Sequence, residues 1–140
     1  MNNNSKKTIN QSGVIPFFSK DGETKIVLVT SMETRQWIIP KGSIEKDMSP
    51  QESAAKEALE EAGVEGIVSD SIFSEYVYEK WGGIYHVKIY LLEVKQLFDK
   101  WDEMKMRNRK VVDLSEAIKI IKPDQLEIMK KFSSYIQEKN

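Results

Sequence analysis

The stretch PKGSIEKDMSPQESAAKEALEEAGV, from Pro40 to Val64, decides how this chain folds and poses a problem of charge. It places Glu57, Glu60 and Glu61 in one predicted helix. Side chains three or four residues apart on a helix have Cβ atoms about 5–6 Å apart, so like charges at that spacing repel. The surrounding residues must therefore explain why three negative charges are held together.

Local signals predict both ends of this helix. Ser49 can cap the first turn, Pro50 suits the first helical position, and Glu52 completes a capping box. Gly63 predicts the end, because glycine adopts the left-handed conformation that follows many helices. At about 100° per residue, the three glutamates share one face. The opposite, apolar face carries Ala55, Ala58, Leu59 and Ala62, and its alanines predict close approach to a neighbouring element.

A divalent cation would resolve the repulsion between the glutamates, because Mg²⁺ and Mn²⁺ prefer oxygen ligands. Lys41 and Gly42 precede the helix, where a glycine lets the backbone approach a ligand and a main-chain carbonyl can join carboxylates around Mg²⁺. An acidic run taken alone is more often a solvated helix face. The loop, cap and glycine stop around this one favour a metal site.

The composition predicts one globular domain in the cytoplasm. The chain has 140 residues, of which 40% are hydrophobic and 31% are charged, enough for a core of its own. A net charge of −1 argues against nucleic acid or an anionic membrane as the partner. The absence of cysteine excludes disulfides, thiolate nucleophiles and cysteine-based zinc sites. No apolar run reaches the roughly 20 residues that cross a bilayer.

Hairpin signals lie on both sides of the glutamate segment. Residues 12–18 and 25–30 are predicted strands that pair antiparallel through the Asp21-Gly22 turn. Residues 72–78 and 84–94 are two further strands, with Gly82 and Gly83 expected to supply the positive φ angles of their turn.

The remaining segments complete the predicted layers. Residues 37–39 form a short apolar piece, and residues 113–121 and 123–136 are predicted helices. Strands before and after a central helix imply α/β layers around a mixed sheet. We expect residues 1–7 to be a disordered arm and residues 8–140 to form the single domain, as a monomer or homodimer.

The loop and helix together resemble the Nudix box of the Nudix hydrolase family, G-x5-E-x7-R-E-U-x-E-E-x-G-U, where U is aliphatic. The matching residues are Gly42, Glu57, Ala58, Glu60, Glu61, Gly63 and Val64. Met48 stands where the family has glutamate, and Lys56 where it has arginine. The family's pair supports the loop and helix as an ion pair, so these departures are expected to affect structure rather than catalysis.

The flanks QWIIPKG and KWDEMKMRNRKVVDLSEAIKII are similar to those of the branch that hydrolyses diadenosine polyphosphates and diphosphoinositol polyphosphates. The resemblance implies a Nudix-type α/β/α sandwich with a central mixed sheet and a loop-helix-loop metal site. It also implies Mg²⁺- or Mn²⁺-dependent hydrolysis of a phosphoanhydride bond. The substrate would be a nucleoside-diphosphate-linked or polyphosphorylated small molecule, such as a dinucleoside polyphosphate.

The resemblance further implies roles for individual residues. Glu57 and Glu61 correspond to metal ligands, and the Lys41 carbonyl to a further ligand. Glu60 corresponds to the general base and can also bind metal, although the glutamate that acts as base varies in the family, which leaves Glu57 as a second catalytic candidate. Glu103, predicted to lie on a loop after the last long strand, is a candidate for an additional ligand or base.

Basic residues are the candidates for phosphate binding, because guanidinium groups suit bidentate contacts with phosphate. The candidate substrate-binding residues are Arg35, Lys41, Gly42, Arg107 and Arg109. Tyr76, Tyr78, Tyr85 and Trp81 are expected to serve cross-strand packing more often than base stacking.

Two other functions remain open. The Met48 and Lys56 departures are compatible with a Nudix-fold module that binds or regulates and turns over little substrate. An RNA 5′-pyrophosphohydrolase is the other alternative, although the chain lacks the basic character typical of nucleic-acid binding.

Overall fold

A computed structural model describes residues 6–139 of the chain, and within that range eight strands form one sheet flanked by three α-helices. The strands are β1 (Lys7–Lys20), β2 (Glu23–Thr30), β3 (Trp37–Ile38), β4 (Lys41–Ser43), β5 (Val64–Val68), β6 (Ser74–Lys80), β7 (Gly83–Leu97) and β8 (Arg109–Asp113). The helices are α1 (Pro50–Ala62), α2 (Leu114–Ile120) and α3 (Leu126–Lys139), with a 3-10 turn at Pro123–Gln125.

The sheet is mixed, as predicted. Its main path runs β3-β2-β1-β7-β5, and the central pair β1 and β7 is parallel. The other pairings are antiparallel: β2 and β4 with β1, β5 and β6 with β7, and β3 and β8 with β2. Three strands, β1, β2 and β7, each pair with three others, and the parallel pair of β1 and β7 lies at the centre of the sheet.

Helices cover both faces of the sheet. Adjacent strand residues point to opposite faces, and Val14 packs in a core with Ala54 and Ala58 of α1, whereas Ile15 packs with Met129 and Phe132 of α3. The predicted α/β/α sandwich is confirmed.

The small side chains of α1 explain its close approach to the sheet. Ala54, Ala58 and Ala62 are fully buried, and alanine allows two backbones to come near each other. Ala55 and Leu59 were also predicted to share the buried face, but Ala55 is only partly buried and Leu59 is 38% exposed. The buried stripe therefore runs through Ala54, Ala58 and Ala62.

The two hairpin turns differ in how well the sequence predicted them. Asp21 (φ 53°) and Gly22 (φ 81°) form the expected turn between β1 and β2. In the second hairpin the positive φ angles belong to Trp81 (51°) and Gly82 (73°), not to Gly82 and Gly83. The prediction was one residue too late, because Gly83 pairs with Lys80 and already belongs to β7.

Three short strands were not predicted: β4, β5 and β8. Each has five residues or fewer and forms because a neighbouring strand is in place. Most of the predicted N-terminal arm, residues 1–5, lies outside the described residues, while Lys7 is the first residue of β1. Among residues 6–139, no helix is long and apolar enough to cross a membrane.

Candidate metal centre

Helix α1 begins and ends where the sequence predicted. The Ser49 hydroxyl accepts a hydrogen bond from the Glu52 N–H at 3.0 Å, and the Glu52 carboxylate accepts one from the Ser49 N–H at 2.8 Å. Gly63 has a φ of 65° and donates its N–H to the Leu59 carbonyl. These contacts set where the helix starts and stops, while the buried alanines set which way its glutamates face.

Lys41 and Gly42, predicted as a loop, belong to the short strand β4, which lies against the glutamate face of α1. Glu61 is only 3% exposed, and the Lys41 N–H lies 3.4 Å from Glu61 Oε1, at the long end of hydrogen-bond range. A Cβ at position 42 would overlap the Glu57 carboxylate, so glycine leaves room for this carboxylate beside the backbone. The structure thus brings together β4 and two of the three predicted helix ligands.

Burial and neighbouring acids disfavour the charged forms of the Glu57 and Glu61 carboxylates. Burial raises the pKa of Glu61 to about 9; the Arg107 charge opposes this rise and the nearby Glu57 carboxylate adds to it. Burial also raises the pKa of Glu57, as do the charges of Glu60 and Glu103, while a hydrogen bond shared with Glu61 lowers it. Carboxylates crowded in this way are stabilised in their charged form by a nearby cation.

Arg107 connects α1 to the loop that follows β7. Its Nε donates to Glu103 Oε1 at 2.8 Å, and its Nη2 lies 3.6 Å from Glu61 Oε2. Its Nη1 donates to the Thr30 carbonyl at 3.0 Å. The guanidinium therefore offsets part of the charge on two acids and ties them to β2.

A second group of acids shares Glu60 with the helix. One carboxylate oxygen from each of Glu60, Asp102 and Glu103 lies within 4.8 Å of the others. The Glu103 N–H also donates to the Glu60 carbonyl at 2.9 Å, which fixes the loop against the helix. Glu103 was a sequence candidate, but Asp102 was missed, and its only signal was its place beside Glu103.

The chemistry of these acids fits a divalent metal ion, because carboxylates are the hard oxygen ligands that Mg²⁺ and Mn²⁺ prefer. Among the described residues, Glu60, Asp102 and Glu103 bring ligand oxygens within 4.8 Å of one another, while Glu57 and Glu61 lie beside Gly42 and Lys41. The collision that any side chain at position 42 would make with Glu57 shows that the backbone here is packed tightly around these acids.

The side chain of Lys41 points toward β6. Its Nζ donates to Gln11 Oε1 at 3.2 Å and to the Tyr78 hydroxyl at 3.0 Å. Tyr78 stacks between Tyr76 and Tyr85, with ring centroids 5.9 Å and 4.7 Å away. The tyrosines thus pack across the strands and also place a polar group beside Lys41.

The two outer arginine candidates have contacts within the protein. Arg35 has a φ of 60°, and its Nη1 donates to the Met106 carbonyl at 2.7 Å, next to Arg107. Arg109 Nη1 donates to the carbonyls of Ala62 and Phe98 at 3.0 and 2.7 Å. The structure therefore brings Arg107 to the carboxylates, holds Arg35 nearby, and uses Arg109 at the end of α1.

The C-terminal end of α1 is closed by Arg109 and Trp101. The Arg109 guanidinium lies 4.0 Å from the centroid of the Trp101 ring. A Cβ at Gly63 would come within 2.9 Å of both side chains. Gly63 is therefore required for its positive φ and for this close contact.

The sequence as a whole matches the NUDIX domain family over residues 9–132. This chain belongs to the NUDIX family. Members of the family generally need divalent metal ions, in agreement with the acidic site on α1.

Curated Nudix relatives cover about three quarters of the chain. It is 34% identical over 113 residues to Nudix hydrolase 21, chloroplastic, of Arabidopsis thaliana. This alignment covers 77% of the chain and 57% of the relative. The chain is 29% identical over 107 residues to diphosphoinositol polyphosphate phosphohydrolase 2 of Rattus norvegicus, covering 74% and 58%. The chain thus spans somewhat more than half the length of these relatives.

Solved Nudix structures share the fold along nearly the whole chain. The Ap4A hydrolase binary complex of C. elegans has a TM-score of 0.74 at 23% identity, covering 93% of this chain and 98% of that one. The NUDIX domain of Shewanella oneidensis NrtR, complexed with ADP ribose, has a TM-score of 0.78 at 14% identity, covering 94% and 90%.

Met48 and Lys56, the two residues that depart from the Nudix box, make defined contacts in the structure. Lys56 Nζ lies 2.6 Å from Glu45 Oε2 and 3.2 Å from Glu60 Oε2. Met48 instead lies by Ser53, whose hydroxyl is 3.8 Å from the Met48 sulfur. This Nudix chain thus has an ion pair between the loop and the helix, and its acidic partner is Glu45.

Proposed function

We propose that this chain hydrolyses a phosphoanhydride bond in a polyphosphorylated small molecule, such as a dinucleoside polyphosphate, with Mg²⁺ or Mn²⁺. One observation carries the proposal. Glu57 and Glu61 of α1 lie against β4 at Lys41 and Gly42, Glu60 lies beside Asp102 and Glu103, and Arg107 contacts both Glu61 and Glu103. Such a group of carboxylates suits chemistry on a densely charged diphosphate.

The residues divide between holding the cation and moving a proton. Glu57, Glu61, the Lys41 carbonyl and Glu103 would hold the metal. A bound Mg²⁺ or Mn²⁺ supplies charge for the phosphate oxygens and lowers the pKa of water. Glu60, whose side chain is 30% exposed, is more open than Glu61 and would accept the proton of the attacking water; Glu57 remains the second candidate for this role.

Lys41 is the lysine that would contact a phosphate of the substrate. Burial lowers the pKa of Lys41, and the positive charges of Lys122 and Lys80 lower it further, against Glu61 and Asp124. Lys80 also pairs with Glu33 on the loop that carries Arg35. Lys122 pairs with Asp124 in the same way, and a phosphate beside Lys41 would favour the charged form of its ammonium group.

Two arginines complete the proposed phosphate contacts. Arg107 already lies between two acids of the site, and Arg35 is held beside it through the Met106 carbonyl. Gly42 would allow the backbone to approach the phosphates. The contacts that Arg109 makes at the end of α1 support a structural role for it instead.

The names of the relatives point to the same substrate class. They include a diphosphoinositol polyphosphate phosphohydrolase and an Ap4A hydrolase. The alternative of a binding module with little turnover rested on Met48 and Lys56, and the pair between Glu45 and Lys56 weakens that reason. The RNA alternative is disfavoured by the net charge of −1. The cytoplasmic location stays a prediction. Some relatives are named chloroplastic or mitochondrial.

A substrate panel tests the proposal. The purified chain is incubated with Mg²⁺ or Mn²⁺, and phosphate release is measured from diadenosine polyphosphates, diphosphoinositol polyphosphates, ADP-ribose, nucleotide sugars and nucleoside triphosphates. We expect turnover of a dinucleoside or diphosphoinositol polyphosphate that Glu61→Gln abolishes and Glu65→Gln, on the exposed edge strand β5, leaves unchanged. Tight binding without turnover would favour the module. Preference for 5′-triphosphorylated RNA, added to the panel, would favour the RNA enzyme.

A further inference from the structure

The loop between β4 and α1 contains a glutamate, Glu45, at a variable position of the Nudix box, and this glutamate contacts the box helix. Glu45 Oε2 lies 2.6 Å from Lys56 Nζ, and the same nitrogen lies 3.2 Å from Glu60 Oε2. Lys56 therefore bridges a loop acid and the glutamate that we propose as the base. The family's glutamate position in this loop is occupied by Met48, which cannot form such a pair.

The backbone holds Glu45 in the place from which it reaches Lys56. The Glu45 N–H donates to the Ser53 hydroxyl at 2.9 Å, and Ser53 is fully buried on the first turns of α1. The Glu45 carbonyl accepts from the Met48 N–H at 3.1 Å, and the preceding Ile44 N–H donates to the Asn10 carbonyl of β1 at 3.0 Å. The carboxylate of Glu45 thus extends from an anchored segment.

Lys56 and Glu60 alone would form a weak pair. They are four residues apart on α1, with the lysine nearer the N-terminus, which is the less favourable order for such pairs. Glu60 also has acids on its other side, since Asp102 and Glu103 each place a carboxylate oxygen within 4.8 Å of it. A second contact that holds the ammonium group in place would therefore change where the Glu60 carboxylate lies.

We infer that Glu45 is a positioning residue, which holds Lys56 so that Lys56 orients the Glu60 carboxylate beside Asp102 and Glu103. The acid partner of the box cation has moved from position 48 to position 45 in this chain. The side chains of Lys56 and Glu45 are 39% and 41% exposed, so the pair adds little to folding stability. The pair acts instead by fixing the position of the Glu60 carboxylate.

Removal of the Glu45 charge tests this inference. For Glu45→Gln we expect kcat to fall about tenfold with KM within about threefold of wild type, as for loss of a residue that orients a ligand. Mn²⁺ affinity of the substrate-free protein, measured by calorimetric titration, should also fall, by about threefold or more. The Tm should change by no more than about 2 °C, because the pair is half exposed.

Two further variants distinguish positioning from a general loss. Lys56→Arg keeps a cation that can pair with Glu45, so it should lower kcat and Mn²⁺ affinity less than Glu45→Gln does. Adding Met48→Glu and Lys56→Arg to Glu45→Gln rebuilds the family pair and should recover both. Glu65→Gln, an exposed glutamate on β5, is the matched control for loss of one negative charge.

The inference is overturned if Glu45→Gln leaves both kcat and Mn²⁺ affinity within about twofold of wild type. It is also overturned if activity is lost only in proportion to a large fall in Tm, or if the rebuilt pair recovers neither quantity. The kinetic readout rests on the proposed function, whereas the Mn²⁺ titration does not. If the wild-type chain turned over no substrate, the proposed function would fail while the titration still decided the role of Glu45.

Discussion

The two ends of α1 are held by different kinds of contact. At the N-terminal end, Ser49 and Glu52 cap the helix within three residues of each other. At the C-terminal end, Arg109 donates to the Ala62 carbonyl, 47 residues earlier in the chain, and Glu103 donates its N–H to the Glu60 carbonyl. The glutamates lie between a start encoded locally and an end completed by distant residues, so the two halves should respond differently to substitution.

The largest effect is expected on the glutamate face itself. Glu57→Gln and Glu61→Gln should each lower turnover at least about a hundredfold, because each removes a main electrostatic group of the site. The measurement is steady-state phosphate release with saturating Mn²⁺, with Glu65→Gln as the control. A near-normal rate for either variant would contradict its assignment as a metal ligand.

Substitution at the C-terminal end of α1 should lower the stability of the fold. Arg109→Met removes the donor to the Ala62 and Phe98 carbonyls and the cation above Trp101. We expect a loss of about 1–3 kcal/mol in the free energy of unfolding, measured by urea denaturation. If Arg109 bound substrate instead, KM would rise with little change in stability.

The pH dependence of stability compares the site with and without its cation. Burial raises the pKa of Glu61 from its ordinary value of 4.5 to about 9 in the folded, metal-free chain. Between these two pH values, the folded protein keeps a proton on Glu61 that the unfolded chain has already lost. Stability without metal should therefore fall as pH rises through that window.

Mn²⁺ favours the charged carboxylate, so its stabilising effect should be greater near the upper end of this window than near the lower end. Thermal unfolding at several pH values, with and without Mn²⁺, measures the difference. Glu61→Gln should remove most of this dependence on pH. An equal Mn²⁺ effect at every pH would show that Glu61 does not change its charge when the cation binds.

The smallest effect is expected from restoring the family residues in the box. With Glu45 intact, Met48→Glu combined with Lys56→Arg should change the rate by less than about twofold, because Lys56 already has an acid partner. Stability should change by about 1 kcal/mol or less, as for other exposed ion pairs. A large gain in kcat would show that the departures do impair catalysis.

Helix α1 and its loop could be predicted because their signals are close together in sequence. The cap at Ser49, the stop at Gly63 and the grouping of Glu57, Glu60 and Glu61 each depend on neighbouring residues. The turn at Gly82 was placed one residue late, because the register of β6 against β7 decides which residues form the turn. The short strands were missed for the same reason, since each forms only against a partner strand.

The basic stretch from Lys105 to Lys110 shows where prediction from sequence was incomplete. Arg107 and Arg109 look equivalent as candidates for phosphate binding, being two residues apart with the same side chain. In the fold, Arg107 contacts Glu61 and Glu103, whereas Arg109 contacts the Ala62 and Phe98 carbonyls. Arg109 is the first residue of β8, whereas Arg107 belongs to the loop before it, and the two side chains therefore meet different partners.

The sequence alone determined the bounds of α1, the face that carries its glutamates and the glycine loop before it. These features arise from steric and hydrogen-bonding preferences within a few residues. Only the tertiary structure decided that Asp102, Arg107 and Glu45 join that face, and that Arg109 closes the helix end. Such contacts depend on where the strands bring distant residues together, and no local preference specifies that position.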